Sequence, residues 1–159
     1  MSIQAPLKVS TPSDLEIRVE RSFDAPPALV FDAWTKPDLL LQWFHGPEGW
    51  KLVKCEMDVR VKGAYRWVWR GSKGQEMGMG GVFLEISPPD RIVMKEKFDE
   101  AWYPGEAVVT MELKQKGKGT HLTTTIQYES VEARDIALNS DMTGGMTASY
   151  NQLAAFLAA

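Results

Sequence analysis

The chain has 159 residues, 18 Lys and Arg against 21 Asp and Glu, a net charge of −3 and a hydrophobic share of 44%. That length and apolar share suit one domain that buries its own core, and they exclude collagen-like, coiled-coil and wholly disordered architectures. The acidic balance argues against nucleic acid as a partner, no apolar run approaches the ~20 residues that span a bilayer, and the lone Cys55 has no internal bridging partner.

Residues 1–13 mix Pro, Ser, Thr and Gln without a period and read as a flexible leader, so the domain is expected over 14–159. The leader lacks the basic and apolar regions of a secretory signal, which gives a cytoplasmic expectation. Leu15, Ile17 and Val19 alternate with Glu16, Arg18 and Glu20 up to Phe23, the period of a half-buried strand. Pro27 then suits the first turn of a short helix whose apolar stripe is Val30, Phe31 and Trp34. Pro37 breaks it, and a second short helix follows over Asp38 to Phe44, closed by a Gly-Pro loop.

From Trp50 to Glu129 the pattern is of strands punctuated by turns: Lys51 to Met57, the run around Tyr65, Trp67 and Trp69, Met77 to Ile86, Ile92 to Phe98, Ala107 to Lys114, and Leu122 to Tyr128. Gly71-Ser72-Lys73-Gly74 and Gly117-Lys118-Gly119 are hairpin turns, and Gly78, Gly80 and Gly81 predict a bulge or sharp bend. Consecutive hairpin-linked strands make an antiparallel sheet. The tail returns to helix with Ser130 as N-cap, and Met142, Met146, Ser149, Tyr150, Leu153 and Leu157 share one stripe. Gly144-Gly145 is expected to split this tail into a shorter and a longer helix. The whole is an α+β chain: a curved antiparallel sheet of about six to seven strands wrapped around a long C-terminal helix, with two short helices after the first strand and a cavity between sheet and helix.

Three separated stretches carry a resemblance. Arg21-Ser22-Phe23-Asp24-Ala25-Pro26-Pro27, Val30-Phe31-Asp32-Ala33-Trp34-Thr35-Lys36-Pro37 and Gln42-Trp43-Phe44-His45-Gly46-Pro47 resemble the opening of the SRPBCC (START-like) superfamily. More narrowly they are similar to the activator of heat shock protein 90 ATPase homologue family, as are Asp58 to Gly63 and Ser87 to Ile92. Ser130 to Asp135 with Met142, Gly145-Met146, Ser149-Tyr150 and Leu153 resemble its bacterial polyketide cyclase-like branch. The likeness runs from about Leu15 to Leu157 and implies the helix-grip fold. Its members include ligand carriers, hydroxylase domains, aromatase/cyclases and chaperone activators, so fold alone selects no activity. Gly145-Met146 stands where much of the family has Gly-Trp, which implies a more adaptable pocket floor, and Lys62-Gly63 replaces a common Gly-Gly.

Six Trp, eight Met, six Phe and four Tyr are enough to build a core or to line an apolar pocket. Tyr65, Trp67 and Trp69 should face inward, because their alternates Arg66 and Arg70 suit solvent. Trp34, Trp43 and Phe44 sit on the helical pair expected to close one pocket mouth; simple packing explains them equally well. Met94 shares a strand face with Glu96, Met142 and Met146 line the last helix, and Tyr150 offers a hydroxyl. Glu96 projects from the otherwise apolar face of Ile92, Met94 and Phe98. On the concave side its pKa would rise, making it a ligand anchor or proton carrier, and the plainer alternative is a salt bridge or sheet-rim position.

No metal site and no cofactor are expected. The only histidines, His45 and His121, lie apart with no ligand-pair spacing, Gly78-Met79-Gly80-Gly81 lies within a strand pattern rather than before a helix, and Cys55 reads as a structural thiol. Three functions follow. Non-catalytic binding of a small hydrophobic or aromatic ligand of lipid, polyketide or flavonoid type stands first, its site formed by the aromatic and methionine residues just named with Glu96. A co-chaperone role, activating a heat shock protein 90 ATPase partner in a stress response, stands second, because the chain lacks the additional N-terminal domain of the eukaryotic activators. A polyketide cyclase-like enzyme using Glu96 and Tyr150 stands third. Exposed sheet edges leave a homodimer open.

Overall fold

A computed structural model describes residues 7–159. The first strand is β1 (Lys8–Ser10), followed by β2 (Glu16–Phe23) and the helices α1 (Pro27–Thr35) and α2 (Pro37–Trp43). Six strands come next: β3 (Trp50–Met57), β4 (Ala64–Gly71), β5 (Glu76–Ser87), β6 (Arg91–Phe98), β7 (Ala107–Lys116) and β8 (Gly119–Gln127). The chain ends with α3 (Val131–Leu138) and α4 (Met142–Ala158). All eight strands join one antiparallel sheet in the order β1-β2-β8-β7-β6-β5-β4-β3, so this is the expected α+β helix-grip arrangement.

Three expectations need correction. The sheet has eight strands rather than six or seven, because Lys8, Val9 and Ser10 pair with Glu20, Val19 and Arg18. The leader reading therefore fails over those residues, and its remainder over 1–6 lies outside the described residues. Three-residue edge strands carry too little periodicity to be read from sequence; here β2 supplies the template. The break in the C-terminal tail falls at Asn139-Ser140-Asp141, not at the glycine pair. The Ser140 hydroxyl accepts from the Met142 N–H at 3.2 Å, and Gly144 and Gly145 sit in the first turns of α4, where an end position lessens the cost of glycine.

The sheet curves because β5 is nearly side-chain-free where it crosses its neighbours. A Cβ on Gly81 would lie 2.0 Å from the Lys95 carbonyl oxygen, and one on Gly80 would lie 2.8 Å from that of Tyr65. A register shift between Phe83 and Glu85 adds a bulge. The concave face carries Ile17, Val19 and Phe23 of β2, Tyr65, Trp67 and Trp69 of β4, and Leu122 and Ile126 of β8, all buried.

Helix α4 packs on that face and is pinned by polar contacts at successive residues. Tyr150 shares a 2.8 Å hydrogen bond with Thr124 of β8, and Asn151 accepts from the buried Arg21 of β2 at 2.6 Å. Gln152 Oε1 accepts from the backbone N–H groups of His45 (3.1 Å) and Gly46 (3.0 Å), while its Nε2 donates to the Gly46 carbonyl at 2.7 Å. The loop after α2 is thereby locked to the helix. Ser130 caps α3 as expected, its hydroxyl accepting from the Ala133 N–H at 3.0 Å. Among the described residues, no helix is long and apolar enough to cross a membrane.

Candidate functional site

Between the concave face and α4 lies a cavity of about 940 Å³. One wall is aromatic: Trp67 and Trp69 of β4 meet Phe44, with ring centroids 5.2 Å apart in both pairs, and Phe44 in turn meets Trp34 at 5.3 Å. The Trp69 indole N–H donates to the Phe44 carbonyl at 2.9 Å, fixing that wall to the loop after α2. The Trp34 indole N–H is buried with no hydrogen-bond partner among the described residues. Met142, Gly145 and Met146 of α4 form the opposite side, and Met94, Val109 and Met111 of β6 and β7 supply the sheet floor. Exposed lining residues, among them Glu76, Met77 and Glu100, mark the mouth.

At the floor sits one carboxyl among phenols. Glu96 is lodged between β6 and the loop that follows it, where Tyr103 donates a 2.8 Å hydrogen bond to Glu96 Oε2. Burial pushes the Glu96 carboxyl up to about 7, and the Tyr103 hydrogen bond pulls the other way. Burial and the neighbouring Glu96 charge raise the phenols of Tyr65, Tyr103 and Tyr128 as well. Tyr65 donates to the Lys95 carbonyl at 2.6 Å, while the Tyr128 hydroxyl points at the Met142 sulfur, 3.8 Å away. Tyr103 itself is wedged edge-on between Trp102 (4.7 Å) and Tyr128 (5.0 Å).

Of the residues singled out from sequence, Trp34, Phe44, Trp67, Trp69, Met94 and Glu96 line the cavity, and so do Met142, Met146 and Tyr150. Two do not. Trp43 is buried behind Trp34, donating to the Ala33 carbonyl at 3.1 Å, and Tyr65 stands behind Trp67 with its hydroxyl spent on the backbone. Among the described residues Glu96 makes no ion pair, which removes the salt-bridge alternative there. Tyr150 is pushed up to about 12 by burial and is bonded to Thr124, so it is not the immediate partner of Glu96. That partner, Tyr103, was missed. Its only sequence signal is an aromatic pair, Trp102-Tyr103, before the Pro104-Gly105 turn.

His45 also lines the cavity, but both ring nitrogens serve the backbone: Nδ1 accepts from the Leu52 N–H at 3.1 Å and Nε2 lies 3.2 Å from the Gln42 carbonyl. Cys55 is partly buried, its thiol pushed up to about 11, which suits a structural role rather than a nucleophile.

Residues 24–158 match the family model described as activator of Hsp90 ATPase homolog 1-like protein. The chain belongs to that family. Solved structures agree: a Rhodobacter sphaeroides protein is 32% identical with a TM-score of 0.90, covering 96% of this chain and 97% of its own. A Chromobacterium violaceum protein is 30% identical with a TM-score of 0.72, covering 91% and 98%. An AHSA1-like protein from Aeromonas hydrophila, 19% identical with a TM-score of 0.71 over 89% and 93%, shares the fold. Among curated proteins, none matches. Family and fold together support a ligand-binding or activator-type member of the START-like superfamily.

Proposed function

We propose that this chain binds a small hydrophobic or aromatic molecule, of lipid, polyketide or flavonoid type, between sheet and α4 and leaves it chemically unchanged. The observation that carries this reading is the 940 Å³ cavity walled by Trp34, Phe44, Trp67 and Trp69. A volume of that size suits a drug-sized ligand, and a core built only for stability does not leave it empty, since unfilled apolar space is costly. Amide NMR titration against flavonoids, polyketide-like aromatics, sterols and fatty alcohols tests it. The expected result is shifts clustered at Trp67, Trp69, Met146 and Tyr150 with a raised melting temperature. No shift with any class overturns the reading and leaves the aromatics as packed core.

A second reading, activation of a heat shock protein ATPase, draws on the family and on one surface feature. Val131 and Leu138 of α3, seven residues apart and so on one face of the helix, are both exposed, an apolar pair suited to a protein partner. Stimulation of a purified Hsp90-type ATPase by the wild-type chain, lost in a Val131→Asp, Leu138→Asp double variant, is the expected result. Absence of stimulation removes this reading without touching the first.

A further inference from the structure

The charges of the cavity are one-sided. Among the described residues its only guanidinium is Arg66, whose Nη1 is held by Asp99 Oδ1 at 2.6 Å and whose Nη2 bonds the second Asp99 oxygen. Against it stand Glu76, Asp99, Glu100 and Asp141 around the mouth and Glu96 within. Among the described residues, no lysine lines the space. An anionic guest would therefore pass an acidic rim and end beside a carboxylate with no free cation to meet it.

At the floor, the tyrosine protons are largely committed. Tyr103 gives its proton to Glu96 Oε2, Tyr65 to the Lys95 carbonyl, and Tyr150 and Thr124 share one between them. Glu96 Oε1 is different. It has no hydrogen-bond partner among the described residues, yet it is not sealed off, because Glu96 is only partly covered and lines the cavity. An open carboxyl oxygen in an aromatic cavity is an acceptor awaiting a donor, and a donor that reaches it makes the stronger, charge-assisted kind of hydrogen bond. Trp67 and Trp69 line the same cavity, and aromatic faces favour a positive head over a negative one.

We propose that the cavity selects amphiphiles whose head is a neutral or cationic hydrogen-bond donor, a phenol, an alcohol or a protonated amine, and rejects carboxylates, with the head seated on Glu96 Oε1. This rests on the cavity-binding reading and sharpens it: within the lipid-like candidates, fatty acids drop out and phenolic aromatics stay. The aromatic body lies against Trp34, Phe44 and Trp67, and rejection of anions comes from leaving two carboxylates unpaired in a dry site.

The experiment compares four probes with one common body: naphthalene, 2-naphthol, 2-naphthylmethylamine and 2-naphthoate. Binding to the full chain is followed by tryptophan fluorescence on the mildly alkaline side of the Glu96 titration at about 7, where its carboxylate is charged; the groups that face it are the phenols of Tyr65, Tyr103 and Tyr128. Naphthol and the amine should bind at least about tenfold tighter than naphthoate, a difference of 1.4 kcal/mol. In Glu96→Gln the three headed probes should converge, with thermal unfolding as the check that the variant is folded. Equal binding of all heads to the wild type, or a preference for naphthoate, overturns the inference while leaving the cavity reading standing. Failure of every probe, naphthalene included, overturns both.

Discussion

The Tyr103 hydroxyl reaches from the β6–β7 loop to Glu96 Oε2, 2.8 Å away, and among the described residues this contact is the one hydrogen bond the carboxyl receives. Two influences oppose each other there. Burial disfavours the charged carboxylate, while the phenol favours it, and burial wins because the carboxyl stands near 7 against an ordinary 4.5. Replacing Tyr103 with Phe removes only the opposing influence. The Glu96 pKa in Tyr103→Phe should therefore rise further above 7, read from the pH dependence of its side-chain carboxyl carbon by NMR. A fall would mean that the phenol stabilises the protonated form.

The same elevation makes stability depend on pH with a definite sign. Between about 4.5 and 7 the unfolded chain has lost the Glu96 proton while the folded chain still holds it, so raising pH through that window favours unfolding. The loss of stability from this group is complete above 7 and is on the order of 3 kcal/mol. Glu96→Gln should flatten this part of the profile and be more stable than the wild type at alkaline pH. Urea unfolding of both proteins on either side of the window measures it. Parallel profiles would show that Glu96 is not the group responsible.

The alternation of Tyr65, Trp67 and Trp69 placed their strand and face correctly because period two is a local property of the chain. The same holds for the Ser130 cap and the Pro27 helix start, where a single residue satisfies a local backbone need. What could not be read was set at long range. Strand β1 exists only because β2 offers an edge, and Tyr103 meets Glu96 because the loop after β6 folds back over the floor. Arg21 falls on the inward face of β2, and what receives it there, Asn151, is 130 residues away in sequence. Such pairings carry no sequence period.

Lys62 adopts φ +70°, a left-handed conformation that costs a side-chain-bearing residue. Glycine adopts this conformation without that cost. Lys62 is exposed, so nothing is lost with its side chain. Lys62→Gly should stabilise the protein by up to about 1 kcal/mol, the αL penalty less the extra freedom of glycine in the unfolded chain. Equilibrium denaturation with an unchanged m-value is the check, and a destabilised variant would mean that the lysine makes a contact stronger than its strain.

Gly145 offers the cleanest way to separate cavity from core. It lies in the first turns of α4 and lines the cavity, and a Cβ built on it meets nothing within 4 Å. Alanine there should gain some of the roughly 1 kcal/mol that separates it from glycine in a helix. Leucine should extend into the empty space, bury new apolar area and displace a ligand without straining the fold. Gly145→Leu is thus expected to melt no lower than the wild type while its affinity for naphthol falls about tenfold or more, one missing increment of 1.4 kcal/mol or greater. A change that weakens both folding and binding would point to general damage. Because the leucine is added where no atom now stands, preserved stability with lost binding assigns the cavity to the ligand and not to the core.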